Sequence, residues 1–149
     1  MSWGFNDTVK GNGYISVRRN TVSKKITNER GFNIVELNVR KCSISDVHTL
    51  DTYDSSARIV TNYITNLPTL TVLIGVTADE ASNNLEINLK NALLSIGVNV
   101  TGLEYRGKVA FVAQVGRPAL TVMKMSPRFG DSVKITVNVQ GNVNTYFRG

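Results

Sequence analysis

Residues 70–76 have the sequence LTVLIGV, an almost uninterrupted apolar run. A strand that is covered on both faces has this composition, so we predict a buried strand over residues 70–76. Further strands are predicted on both sides of it, because short β-branched and aromatic segments alternate with turn residues. These segments are residues 15–18, 32–39, 47–53, 108–115, 119–125 and 132–139.

Two segments between these strands follow the helical period instead. The first helix is predicted over residues 55–67, where Asp54 and Ser55 offer caps and Pro68 ends the helix. Its apolar stripe is Ala57, Val60, Tyr63, Ile64 and Leu67. The second is predicted over residues 80–96, with Thr77 or Asp79 as cap and Gly97 at the left-handed position that follows its last turn. Its stripe is Leu85, Leu89, Ala92, Leu93 and Ile96. Many strands with two grouped helices indicate an α+β fold in which the helices pack on a sheet.

Composition places the chain among ordinary globular domains. It has 149 residues, 42% hydrophobic and 19% charged, so one core forms without the help of metal or disulfides. The net charge of +6 suggests nucleic acid, an acidic glycan or an acidic protein as partner. The basic residues occur in scattered pairs without a run of five or six, which argues against nucleic acid. The single cysteine, Cys42, cannot form an intrachain disulfide, so we expect either folding in a reducing cytosol or a fold that does not rely on disulfides. The first residues lack the apolar run of a signal peptide, and no segment is apolar enough for a membrane helix.

Few residues in the chain are suited to catalysis. It has one histidine, His48, in a predicted strand, and one cysteine, whereas a zinc or iron site needs several ligands. We therefore predict no metal site, no cofactor and no catalytic residue, and interpret His48 as an ordinary residue of its strand. Asp51 and Asp54 resemble a glycosidase carboxylate pair, but Asp54 is better explained as a helix cap. The chain is predicted not to be an enzyme.

Five stretches in order resemble segments of interleukin-like EMT inducer domains. They are RGFNIVEL at 30–37, LDTYDS at 50–55, LTVLIGVTADEAS at 70–82, LLSIG at 93–97 and LEYRGKVAFV at 103–112. The resemblance implies two antiparallel sheets that form a sandwich-like core with two helices packed against it. It also implies three parts: an N-terminal extension at 1–28, the family domain at 29–117, and C-terminal strands at 118–149 that complete or extend the sheet.

The same resemblance suggests a ligand site. The family includes secreted proteins, domains of hyaluronan-binding proteins, the stem domain of a glycosyltransferase, and proteins of tailed bacteriophages. The stem domain binds a sugar, and the positions that match it here are Arg30, Asp79 and Arg106. Charged side chains grouped at strand ends can hydrogen-bond hydroxyls in pairs. The alternative is structural: Asp79 caps the helix and pairs with Arg106 or Arg30.

The chain departs from the secreted relatives in lacking their signal peptide and disulfide cysteines. Its start, WGFNDTVK at 3–10, is similar to that of small tail or collar proteins of long-tailed phages. We therefore expect a virion protein made in the host cytoplasm, a tail or collar ring of identical subunits that helps attach side fibres. Strands at 15–19 and 132–139 would pair with neighbouring chains, and the basic surface would meet an acidic tail partner. A carbohydrate-binding module is the alternative.

Overall fold

The computed structural model describes residues 2–7, 14–19, 22–27, 30–38, 43–51, 57–78, 81–83, 85–126, 133–139 and 147–148. Within these residues it has ten strands, two α-helices and one 3₁₀ turn. The strands are β1 (Ser2–Asp7), β2 (Tyr14–Arg19), β3 (Val22–Thr27), β4 (Gly31–Asn38), β5 (Ser43–Leu50), β6 (Val72–Ala78), β7 (Lys108–Gln114), β8 (Val122–Ser126), β9 (Val133–Val139) and β10 (Phe147–Arg148). The helices are α1 (Ala57–Thr65) and α2 (Ile87–Ser95), and the 3₁₀ turn is Pro118–Leu120.

The strands pair into two antiparallel sheets. The central sheet has the order β5-β4-β6-β7-β8, and the terminal sheet has the order β10-β9-β1-β2-β3. The predicted α+β class is therefore confirmed. The predicted sandwich of the two sheets stays a prediction, because most side chains of the terminal sheet lie outside the described part of the chain.

The core lies where the helices pack on one face of the central sheet. Period-2 alternation in the strands and period-3.6 stripes in the helices direct apolar side chains to this layer. The strands contribute Phe32, Ile34, Leu73, Val109, Phe111 and Ala113, and the helices contribute Ala57, Val60, Ile64, Leu89, Ala92 and Leu93. Both predicted helix stripes are confirmed, because Tyr63, Leu67 and Leu85 pack against this cluster and Ile96 belongs to it.

The predicted start of the second helix is wrong. The helix begins at Ile87 rather than at residue 80, and Glu86 precedes it without a capping side-chain hydrogen bond. Ser82 and Asn83 precede it, and side chains of these types compete for backbone hydrogen bonds in non-helical conformations. Thr77 does not cap the helix either, because its hydroxyl accepts a hydrogen bond from the Val109 N–H at 2.9 Å. Asp79 lies outside the described residues.

The end of α2 agrees with the prediction and shows why Gly97 is needed there. The Val98 N–H donates to the Leu93 carbonyl (2.9 Å) and the Gly97 N–H donates to the Leu94 carbonyl (2.8 Å), which is the Schellman arrangement. Gly97 has φ +84°, and a Cβ on it would collide with the Pro118 carbonyl. Both the conformation and the close approach therefore require glycine at this position.

The strand predictions hold with shifted ends, and three strands were not predicted. These are β1, β3 and β10, which have weak apolar alternation. The predicted strand at 119–125 is shorter, because Pro118–Leu120 forms a 3₁₀ turn before β8. β2 lies between β1 and β3, so its edges are both used within the chain and the prediction that it pairs with a neighbouring chain is wrong. Cys42, Asp54 and Ser55 lie outside the described residues.

Candidate functional site

Two of the three predicted ligand residues lie at one end of the central sheet. Arg30 precedes β4 and Arg106 lies two residues before β7. Both strands run antiparallel to β6, which separates them, so they begin at the same end. Two strand spacings correspond to about 10 Å. The third predicted residue, Asp79, lies outside the described residues, so the predicted trio stays a prediction.

Arg30 forms a two-pronged ion pair with Asp51. Its Nε lies 3.1 Å from Oδ1, and its Nη2 lies 2.9 Å from Oδ2. The backbone explains this meeting: Gly31 has φ +100°, and a Cβ there would collide with the Leu50 carbonyl. Because Gly31 has no side chain, the backbone at the start of β4 can lie against the end of β5. This ion pair joins two of the stretches that carry the family resemblance. It also holds the Arg30 guanidinium in a contact within the fold.

Arg106 lies in a tight turn with φ +55°. Its guanidinium carbon is 5.3 Å from the centre of the Tyr105 ring, a cation–π arrangement. Tyr105 is 62% exposed, which is unusual for a large aromatic side chain. This end of the sheet therefore presents an aromatic face supported by a cation.

A second cluster lies on β4 and β5, at the edge of the central sheet. Glu36 pairs across the strands with Asp46, and Ile34 pairs with His48, so the three polar side chains share one face. The pairing shifts between Glu36 and Leu37, with Ser45 as the extra residue of a β-bulge. Bulges of this kind redirect neighbouring side chains.

The polar atoms of this cluster converge. His48 Nε2 lies 3.2 Å from Glu36 Oε1 and 3.2 Å from Asp46 Oδ2. The Tyr63 hydroxyl of α1 donates to the same Glu36 oxygen at 2.7 Å. The Tyr63 and His48 rings are in contact, with centroids 4.5 Å apart and planes tilted by 53°. The potential metal-ligand atoms of Glu36, Asp46 and His48 all lie within 4.8 Å of one another, so together they can hold a cation.

The environment of Tyr63 changes its acidity. Burial raises the pKa of the Tyr63 phenol far above its usual value. The hydrogen bond to Glu36 and the negative charges of Glu36 and Asp46 raise this pKa further. The phenol therefore stays protonated and acts as a hydrogen-bond donor.

Sequence reasoning missed this cluster because it counted histidine and cysteine ligands. One signal pointed to it: Asp46 and His48 are two residues apart on a strand, and such residues share a face. Glu36 joins them only through the pairing of β4 with β5, which the sequence did not specify. Asp51, which was considered above as one member of a glycosidase carboxylate pair, forms an ion pair with Arg30 instead.

The comparisons with known proteins connect this chain to one family. A family model described as interleukin-like EMT inducer matches residues 30–117. This match includes the central sheet from β4 to β7, both helices and both polar clusters. No curated protein matches the chain. Among the described residues, no helix is long and apolar enough to cross a membrane.

Proposed function

Because the chain belongs to the interleukin-like EMT inducer family, we propose that it uses this domain as a rigid structural module. In this proposal it is a non-catalytic protein of a phage virion, a tail or collar component that assembles as a ring and helps attach side fibres. The similarity of residues 3–10 to small tail and collar proteins supports the phage assignment.

One observation carries the proposal: apart from β8, the strands outside the family match form a sheet of their own. All five strands of the terminal sheet lie outside residues 30–117. Within the described residues, β10 pairs only with Asn138 and Val139 of β9. The outer edge of β9 from Val133 to Val137 is therefore where a strand of another chain would add, by β-augmentation.

We further infer that the terminal sheet packs on the central sheet as a sandwich. Val72, Ile74 and Val76 lie on the face of β6 opposite the helices and are fully buried. β1 and β9 lie against β6 and β7, where they supply the cover that this burial requires. The subunit would then offer partners a rigid body.

Charge is consistent with an acidic partner. The chain carries a net charge of +6, and β3, the other edge of the terminal sheet, includes Lys24 and Lys25. Lysines on an edge strand disfavour pairing with an unrelated strand but attract an acidic surface. We therefore propose that copies of the chain associate through the edge of β9. An acidic tail protein would bind at the β3 edge, which includes the two lysines.

Quantitative mass spectrometry of purified virions tests the assignment. The proposal predicts that this chain is present at a fixed copy number for each tail, and that crosslinks join the β9 region to a second copy. Its absence from virions of the phage that encodes it would overturn the proposal.

The end of the central sheet favours a second function, a carbohydrate-binding module. An exposed Tyr105 ring supported by Arg106 is an amphipathic surface of the kind that sugars stack on. On a glycan array, Asp79→Ala, Arg106→Ala and Tyr105→Ala should then each abolish the signal. Ile59→Ala, which removes an exposed apolar side chain on α1, is the matched control. A folded parent protein that binds no glycan would exclude this function.

A further inference from the structure

We propose that Glu36, Asp46 and His48 form a binding site for a first-row divalent cation, and that Zn²⁺ is the ion best suited to it. One imidazole and two carboxylates are accepted zinc ligands, and three protein ligands leave a further position for water. The inference is independent of the proposed structural role and concerns other residues than Arg30 and Arg106.

The distances fit a shared coordination sphere. Zinc bonds of about 2.1 Å in tetrahedral geometry separate neighbouring ligand atoms by about 3.4 Å. His48 Nε2 lies 3.2 Å from an oxygen of Glu36 and 3.2 Å from an oxygen of Asp46. An ion placed between the three side chains therefore reaches all of them with small rotations.

The imidazole nitrogen itself indicates a missing partner. His48 Nε2 is buried, and among the described residues it has no hydrogen-bond partner, although two carboxylate oxygens lie close to it. A buried polar atom without a hydrogen bond is costly. A cation bound to Nε2 and both carboxylates satisfies the nitrogen and neutralises two negative charges at once.

Surrounding groups hold the ligands in place. The Tyr63 hydroxyl donates to Glu36 Oε1, and the Tyr63 ring lies against the His48 ring. Such outer contacts orient ligands in metal sites. The bulge at Ser45 sets the position of Asp46, which is 57% exposed and provides a path from solvent. An ion bound here would pin β5, an edge strand, to β4.

Isothermal titration calorimetry with ZnCl₂ tests the site in the full chain without an affinity tag. We expect one ion for each chain, and at least about tenfold weaker binding for Asp46→Asn, Glu36→Gln and His48→Gln. Glu86→Gln, which changes an exposed carboxylate before α2, is the control and should bind like the parent. Cys42 is unchanged in every variant, so its contribution cancels.

Two further readouts do not depend on the folding of the variants. Zinc at 100 times its dissociation constant should raise the melting temperature of the parent by roughly 5–10 °C. Because the chain has one histidine, its imidazole signals in a nitrogen-15 NMR spectrum belong to His48 alone. Coordination should shift Nε2 far more than Nδ1.

The proposal is overturned if zinc leaves the His48 nitrogen signals unchanged, or if Asp46→Asn and the parent bind zinc equally well. Either result means that the three side chains form a polar cluster that does not bind zinc.

Discussion

The Tyr63 hydroxyl donates a 2.7 Å hydrogen bond to Glu36 Oε1 and so joins helix α1 to strand β4. Glu36 is mostly buried, and a second polar neighbour, His48, lies on β5. One phenol thus connects the helix layer with the two strands at the edge of the central sheet.

Tyr63→Phe should lower stability by about 1–2 kcal/mol at neutral pH, because the Glu36 carboxylate loses a donor in a partly buried position. The effect should depend on pH. The folded-state pKa of Tyr63 is raised, so its contribution is complete below the unfolded-state pKa of about 10 and is lost as pH rises above that value. Urea denaturation from pH 7 to pH 11 measures the difference.

Tyr105→Phe is the control for this experiment, since the Tyr105 ring is exposed and the change removes only a hydroxyl. It should leave the unfolding midpoint unchanged at pH 7. A difference between the parent and Tyr63→Phe that stays constant through pH 11 would contradict the raised pKa of Tyr63 in the folded state.

Arg30 and Asp51 should be energetically coupled. Their side chains are 32% and 28% exposed, so solvent screening limits the coupling to about 0.5–1 kcal/mol. A double-mutant cycle in urea with Arg30→Lys and Asp51→Asn measures it, because lysine keeps the charge but cannot form the two-pronged contact. A coupling of zero, with glycan binding lost in Arg30→Lys, would instead make Arg30 a ligand residue.

Gly97 and Gly102 share φ +84° but differ in their surroundings. A Cβ at Gly97 would collide with the Pro118 carbonyl and Thr121, whereas a Cβ at Gly102 has no atom within 4 Å. Gly102→Ala should therefore cost about 1 kcal/mol from backbone strain alone. Gly97→Ala should cost about 2–4 kcal/mol, because overpacking adds to the same strain. Equal losses in thermal denaturation would mean that the contact at Gly97 relaxes at no cost.

Local patterns predicted much of the central sheet and both helix faces. The apolar run at 70–76 and the stripes of α1 and α2 are strong signals because burial selects apolar side chains at fixed periods. Gly97 was predicted correctly because a helix end needs a left-handed residue. The start of α2 was missed because acidic residues at 79 and 80 resemble a helix start, whereas the helix begins at Ile87.

The polar clusters depend on long-range pairing, and here local patterns were insufficient. Arg30 meets Asp51 because Gly31 permits a close approach of two strands, and no local period encodes that approach. His48 meets Glu36 through the pairing of β4 with β5, and Asp46 takes its place at a bulge. Strands β1 and β3 gave weak signals because their alternation is interrupted by glycine, asparagine and lysine.

The central claim is that this family domain serves as a subunit of an assembled ring. Sedimentation velocity on the full chain, alone and mixed with purified tails, tests it most directly. We expect one discrete species with several times the 16.3 kDa chain mass, and co-sedimentation with tails. A chain that sediments only as a monomer and never joins the tails would contradict it.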